Sequence, residues 1–293
     1  MDLVSRLRQS VIGSERRVVF PEGDDRRVLQ AARRLRDEQL AHPVLLGRLE
    51  SIQTSAASAG VQLDDLITID PTDCKDFDRY VNAYALRRDL SAKVATRMIR
   101  RPLFFAGMMV AEGDADTMVA GVVNPTAVVI QAGALTVGYA EAIETPSSFF
   151  LMVLPDGSAA ATSVMVFADC AVNIAPGPAE LADIAVASGC SAARLLADPP
   201  RVAMLSFSTN GSAAHEAVDN VTQALELARA KAPELAIDGE FQADTALVAA
   251  IAERKLNRPS SVAGQANVLV FPDLNAANIA YKLTQYLAGA QAI

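Results

Sequence analysis

Tryptophan is absent, and histidine occurs only at His42 and His215. Two imidazoles leave little from which to build a His-centred triad or a histidine metal site, and His215, near a helix start, reads as a surface residue rather than a base. The lack of tryptophan argues against an aromatic-rich β-sandwich. Cysteine is scarce as well: Cys74, Cys170 and Cys190 are odd in number and lack metal-ligand spacing, which fits a reducing compartment. The most apolar long window, VAGVVNPTAVVIQAGALTVG, is broken by Asn124, Pro125, Thr126 and Gln131, residues too costly at bilayer depth, so no membrane partner is expected. MDLVSRLRQS has no signal-peptide core and reads as an amphipathic helix, which makes the cytoplasm the expected location and leaves the sequons NGS and NVT without meaning. G-x-G-x-x-G, G-x-x-x-x-G-K-[ST] and H-E-x-x-H are all missing, and with them the dinucleotide, P-loop and zincin signatures. Basic residues are outnumbered, 26 to 34, for a net charge of −8. Nucleic acid and anionic membranes are therefore poor partners and none is expected, although a local cleft can still take an anionic substrate.

What is present is aliphatic: 51% of the 293 residues are hydrophobic. Short apolar runs alternate with helical periods: RRVVF, then DDRRVLQAARRLRDE, then HPVLLG and, after DDLITID, a helix predicted from Phe77 to about Arg100. A second series follows: SSFFLMVLPDG, TSVMVFADCAVN, a helix from about 179 to 196, RVAMLSFS, a helix over 213–231, and ANVLVFPD before a last helix. Strand followed by helix, repeated, predicts an α/β protein with largely parallel sheets. The length and the break at YAEAIETPSS predict two domains, 1–142 and 143–293.

The run MLSFSTNGS passes from buried strand to small polar residues: Ser206, Ser208, Thr209, Asn210, Gly211 and Ser212. Two readings stand: a turn capped by Ser and Asn, or an anion site at a strand end that opens a helix. Val218, Val221, Leu225 and Ala228 recur at helical spacing just beyond, which puts STNGS at the strand edge where open α/β sheets bind ligands. FADCAVN (Asp169, Cys170, Asn173), AIDGEFQAD (Asp238, Glu240, Gln242, Asp244) and LVFPDLNAAN (Asp273, Asn275, Asn278) repeat the pattern, and such edges are expected side by side. FPEGDD is another strand–turn–helix, but Glu22, Asp24 and Asp25 would repel a phosphate, and Asp24 or Asp25 reads as a helix cap.

VVFPEGDDRRVLQAA, PLFFAGMMVAEGDADTMVAG, FADCAVN, RVAMLSFSTNGSA, IDGEFQAD and VAGQANVLVFPDLNAANIAYKLTQYLAGA resemble the phosphate acetyltransferase and phosphate butyryltransferase family, nearer its acetyl branch. The resemblance implies two three-layer α/β/α domains with an inter-domain cleft, similar to isocitrate and isopropylmalate dehydrogenases, and a homodimer. It also implies transfer of an acetyl group between acetyl phosphate and coenzyme A, releasing phosphate. Coenzyme A is then a substrate, with no resident cofactor and no metal. The substrate-binding candidates are Arg87, Asn124, Thr126, Ser206, Ser208, Thr209, Asn210, Gly211, Asp273 and Asn275, with Lys282 on coenzyme A. Arg87 falls where the family has a phosphate-binding arginine, with Arg88 as the surface half of the pair; a purely structural Arg87 and a solvated Lys282 are the plainer readings. Cys170 matches a family cysteine but reads as a small buried hydrophobe, since the chemistry needs no enzyme thiolate.

Two departures stand out. Where many members carry a second arginine after G-x-V-H/N-x-T, this chain has Val128 and Gln131 and no basic residue. The family also continues into an LSRG segment and an aspartate that supply a serine, an arginine and the base, and that segment, which residues 1–293 do not contain, is expected to complete the first domain. The alternative reading is a non-catalytic acetyl-CoA or acyl phosphate binding protein of the same fold. A dehydrogenase of that fold lacks a dinucleotide signature here.

Overall fold

The computed structural model describes residues 3–141, 143–155 and 163–293. Met1, Asp2, Ala142 at the expected domain break, and Asp156 and Gly157 of the SSFFLMVLPDG run lie outside these. The chain divides into two compact units, Met1–Gly138 and Tyr139–Ile293.

In the first unit, α1 (Leu3–Val11) precedes an alternation of β1 (Arg17–Phe20), α2 (Arg26–Asp37), β2 (His42–Leu46), α3 (Leu49–Ala59) and β3 (Ile67–Ile69). Then come α4 (Phe77–Arg88), α5 (Ala92–Ile99), α6 (Pro102–Ala111), β4 (Thr117–Met118) and α7 (Thr126–Thr136). The sheet order is β3-β2-β1-β4, all parallel. Alternate strand residues feed two cores. Val19, Val44 and Leu46 pack with Tyr80, Tyr84, Phe104, Phe105 and Met108 of α4 and α6, while Phe20 and Leu45 pack with Val28, Leu29 and Ile52 of α2 and α3. Helices therefore cover both faces.

The stretch from Phe77 to Arg100 is not the single helix its periodicity predicts. Asp89 takes a left-handed conformation (φ 49°), Leu90 N–H turns back to Ala85 O, and Ser91 opens α5. Aspartate tolerates that conformation better than most residues.

The second unit comprises β5 (Phe149–Val153), β6 (Val164–Ala168), α8 (Pro178–Leu195), β7 (Arg201–Leu205), α9 (Glu216–Lys231) and β8 (Ala236–Phe241). It continues with α10 (Ala243–Leu247), α11 (Ala249–Lys255), β9 (Val268–Val270), α12 (Leu274–Leu287) and β10 (Gln291–Ala292). Its sheet runs β10-β5-β6-β9-β7-β8. β6, β9, β7 and β8 are parallel, and β6, β7 and β9 read as continuous apolar runs because α8 covers one face while Ala246 and Ala277 of α10 and α12 pack on the other. β5 runs antiparallel to both of its neighbours, β6 and β10, which the strand–helix alternation did not foresee. The tail YKLTQYLAGAQAI is likewise not all helix: α12 stops at Leu287, Gly289 turns at φ +70°, and Gln291–Ala292 pairs with β5.

Candidate functional site

The sheet order of the second unit brings the ends of β6, β9, β7 and β8 to one edge, and Asp169, residues 206–212, Glu240 and Asp273 lie there in a row, whereas Asp238 sits inside β8 against Arg229 and Arg258. Three of these ends carry an acid, Asp169, Glu240 and Asp273, each turned to a strand-end loop or helix start. Asp169, after β6, is buried; its Oδ1 accepts from Ser148 N (3.2 Å), Ser148 Oγ, Ala171 N (3.1 Å) and Val172 N (3.2 Å), and its Oδ2 accepts from Asn173 N (2.8 Å) and Nδ2 (2.6 Å). Glu240, at the end of β8, accepts from Ser208 Oγ (2.7 Å) and Gly211 N (2.9 Å), and its carbonyl takes Asn210 N–H (3.2 Å). Ser206 Oγ accepts from Ser208 N, and Thr209 Oγ1 from Gln242 N (2.9 Å). Ser208 and Thr209 are buried, while Asn210 and Gly211 are exposed. The hydroxyls and amides of STNGS thus satisfy one another around Glu240. Asp273 caps α12, accepting from Ala276 N (2.9 Å), with Asn275 and Lys282 exposed on that helix. Cys170 is fully buried and desolvation pushes its thiol up to about 12, so it packs as a hydrophobe. The cavities of about 360 and 400 Å³ in this unit are lined by residues of 249–265 and 229–261; the second takes in Asp238, and neither takes in Asp169, residues 206–212, Glu240 or Asp273.

In the first unit Asn124 and Thr126 stand together at the start of α7, and Arg87 does not join them. Its guanidinium donates to Glu112 Oε1 (2.7 Å), Ala111 O (3.2 Å) and Thr136 O (3.3 Å). It therefore clamps the C-terminal carbonyls of α6 and α7, where the helix dipole welcomes a cation. Thr136 and Thr126 lie ten residues apart on one helix, about 15 Å of rise. The residue that does meet Asn124 is Glu22, which is buried after β1 and accepts five hydrogen bonds from residues 121–124. Asp25 is the cap of α2, accepting from Arg27 N (2.8 Å), and the Arg27 guanidinium holds its carboxyl down at about 2.

Charge is handled by pairing. Burial alone would raise the pKa of Asp238, but bonds from Arg258, from Ser260 Oγ (2.5 Å) and from Gly239 N (2.9 Å) outweigh it and hold the group below the usual carboxylate range. Asp183, desolvated but bonded by Lys231 and the amides of Glu144 and Thr145, and Glu22, desolvated but bonded by Asn124, Val123 and Val122, are lowered as well. Each folded pKa lies below its unfolded value, so the stabilisation is complete above about pH 5 and is lost as the pH falls through the unfolded and then the folded values. Thermal melts between pH 7 and 3 should show a flat plateau that breaks only in the acid range; a midpoint already falling between pH 7 and 5 would assign the loss to other groups.

Residues 2–293 match the model of the phosphate acetyl/butaryl transferase family. The chain belongs to that family. It is 43% identical over 297 residues to the phosphate acetyltransferase of Thermoanaerobacterium thermosaccharolyticum, covering 100% of this chain and 89% of the relative. A phosphotransacetylase from Streptococcus pyogenes superposes with a TM-score of 0.91 at 39% identity, covering 99% of this chain and 87% of that one. One from Staphylococcus aureus gives 0.90 at 34%, covering 100% and 88%.

Sequence reasoning undervalued the acids. Glu22 read as a group repelling ligand, whereas it serves the interior. The available signal was a carboxylate two residues beyond the apolar run VVF, where alternation along a strand returns to the face of buried Phe20. Among the described residues no group of three or more His, Cys, Asp or Glu is placed to hold a metal ion, and no helix is long and apolar enough to cross a membrane.

Proposed function

We propose that this chain is a phosphate acetyltransferase, catalysing reversible transfer of the acetyl group between acetyl phosphate and coenzyme A. The observation that carries the reading is its identity of 43% to a phosphate acetyltransferase across its whole length; no observation favours a non-catalytic binder. The thiol of coenzyme A loses its proton, its sulfur attacks the acetyl carbonyl carbon, and the tetrahedral oxyanion collapses as the bond to phosphate oxygen breaks. A thiol of pKa near 8.5 needs a base or a cationic field, and the oxyanion needs N–H donors. Asn124, Thr126, Ser206, Ser208, Thr209, Asn210, Gly211, Asp273 and Asn275 are the proposed substrate contacts, Lys282 the coenzyme A contact, and no resident cofactor is invoked.

The decisive experiment follows thioester formation from acetyl phosphate and coenzyme A, using residues 1–293 alone and the same residues followed by the LSRG-containing segment of a relative. Slow turnover by the first and fast turnover by the second is the expected result. Inactivity of both would remove the reading.

Arg87 is proposed to bind phosphate in exchange for Glu112. Arg87→Gln should then raise the acetyl phosphate KM by roughly tenfold with coenzyme A affinity kept. A lowered Tm with an unchanged KM would leave Arg87 as a helix clamp only.

A homodimer is part of this reading. Ile279, Leu283, Tyr286 and Leu287 share one face of α12 and are all more than half exposed, Leu287 by 81%. Changing Leu283 and Leu287 together to glutamate should give monomers in sedimentation equilibrium; a monomeric parent chain would refute the dimer. The cytoplasm is the proposed location, supported by three free cysteines. The likeness to isocitrate and isopropylmalate dehydrogenases is proposed on the same resemblance.

A further inference from the structure

We infer that Glu22 is a positioning residue of the proposed acetyltransferase site: it supplies the resident anion of an amide nest, residues 121–124, and thereby sets Asn124 and the start of α7 for ligand. The inference rests on the phosphate acetyltransferase reading, because Asn124 and Thr126 are substrate contacts only within it.

Four successive backbone amides converge on one carboxylate. Gly121 N (3.0 Å) and Val122 N (2.8 Å) donate to Oε2, and Val123 N (2.9 Å) and Asn124 N (2.7 Å) donate to Oε1. Consecutive N–H groups pointing inward form an anion-binding nest. The curvature requires a positive φ at its first residue, and Gly121 provides it at 108°. Such nests usually take a phosphate or another external anion; here the occupant comes from the chain itself, about a hundred residues away, and is 6% exposed.

The loop's other ties are fewer: Val122 packs against the Phe20 and Val28 core and its carbonyl accepts from Arg27 Nη2 (3.1 Å), while Val119 and Val123 are half or more exposed. The Glu22 carboxylate, which takes five of the loop's hydrogen bonds, is its main fastening. It also decides the orientation of Asn124: an ionised carboxylate can only accept, so it must face the amide nitrogen, as Nδ2 does at 2.7 Å. The side-chain oxygen of Asn124 is then the atom left for a ligand N–H. Pro125 follows at once and Thr126 begins α7, so fixing 121–124 fixes the helix start, where Val128 N and Val129 N already return to Pro125 O.

The test uses the parent chain, Glu22→Ala, Asn124→Ala and the double variant. Coenzyme A affinity by calorimetry and thermal unfolding are both measured with and without sodium formate, a carboxylate small enough to enter the vacated nest. Glu22→Ala should remain folded, weaken coenzyme A binding by roughly tenfold, and add little to Asn124→Ala, since both act through one contact. Formate should restore both Tm and affinity in Glu22→Ala and leave the parent unchanged. Glu22→Gln should not be rescued, because its amide nitrogen confronts two of the nest N–H groups.

Three results would overturn the inference: unchanged coenzyme A affinity in Glu22→Ala, effects that add in full to those of Asn124→Ala, or no response of Glu22→Ala to formate. A parent chain that does not bind coenzyme A would do so too. A parent that binds it but forms no acetyl-CoA, in either form tested above, would sink the proposed reaction and leave the Glu22 result to be read from affinity.

Discussion

Asp169→Asn is expected to lower the stability of the second unit by about 3 kcal/mol, the penalty for leaving buried donors unanswered. The native carboxylate accepts on both oxygens, from the Ser148 and 171–172 side on Oδ1 and from Asn173 on Oδ2. An asparagine keeps the shape but makes one of these positions a donor, so whichever way it turns, N–H meets N–H in a place that is 3% exposed. The loss should appear as a fall of roughly 6–12 °C in Tm, and ligand affinity should fall with it, because the FADCAVN loop is part of the strand-end row. Asp169→Ala should be at least as damaging. A melt of Asp169→Asn within a degree or so of the parent would mean that water reaches this loop freely and that the acid is not its fastening.

Gly107→Ala should have an effect of similar size in the first unit. A Cβ built on Gly107 would come 2.1 Å from Thr136 Oγ1 and 2.9 Å from Thr136 Cβ. Thr136 cannot swing aside easily: it is buried and β-branched, and its hydroxyl donates to Ala132 O at 2.6 Å. Helices α6 and α7 must therefore part, and overpacking of this kind costs about 3 kcal/mol. Because Thr136 O also accepts from Arg87, the damage should reach the clamp at the helix ends. Removing the obstacle tests the cause: Thr136→Gly in the Gly107→Ala background should recover part of the lost stability although it is harmful alone. If the two losses simply add, the clash is not the reason.

Much of the architecture could be read from local pattern. Continuous apolar runs such as RVAML, each followed by a 3.6-period stripe, specify parallel strands covered by helices, because side-chain period and face burial are local properties. The strand ends FADCAVN, STNGS, IDGEFQAD and FPDLN were legible as a set for the same reason. What the set does was not. Ser208, Thr209 and Gly211 read equally as an anion hole or a turn, and only the pairing of β7 with β8 brings Glu240 against them. Arg87 shows the limit in the other direction, since nothing in YALRRDL reveals that its guanidinium ends on the carbonyls of Ala111 and Thr136.

The sequence by itself determined the class of fold, the main alternation of strand and helix in each half, the family, and which segments carry polar chemistry, all of which follow from propensity, periodicity and motif. Tertiary structure alone decided the antiparallel pairing of β5 with β6 and β10, the contact of Gly107 with Thr136, and which acid fastens which loop. The physical reason is distance along the chain. Glu22 meets its nest about a hundred residues on and Asp169 meets Ser148 across the β5–β6 pair, and contacts between residues so separated depend on how the whole sheet is assembled.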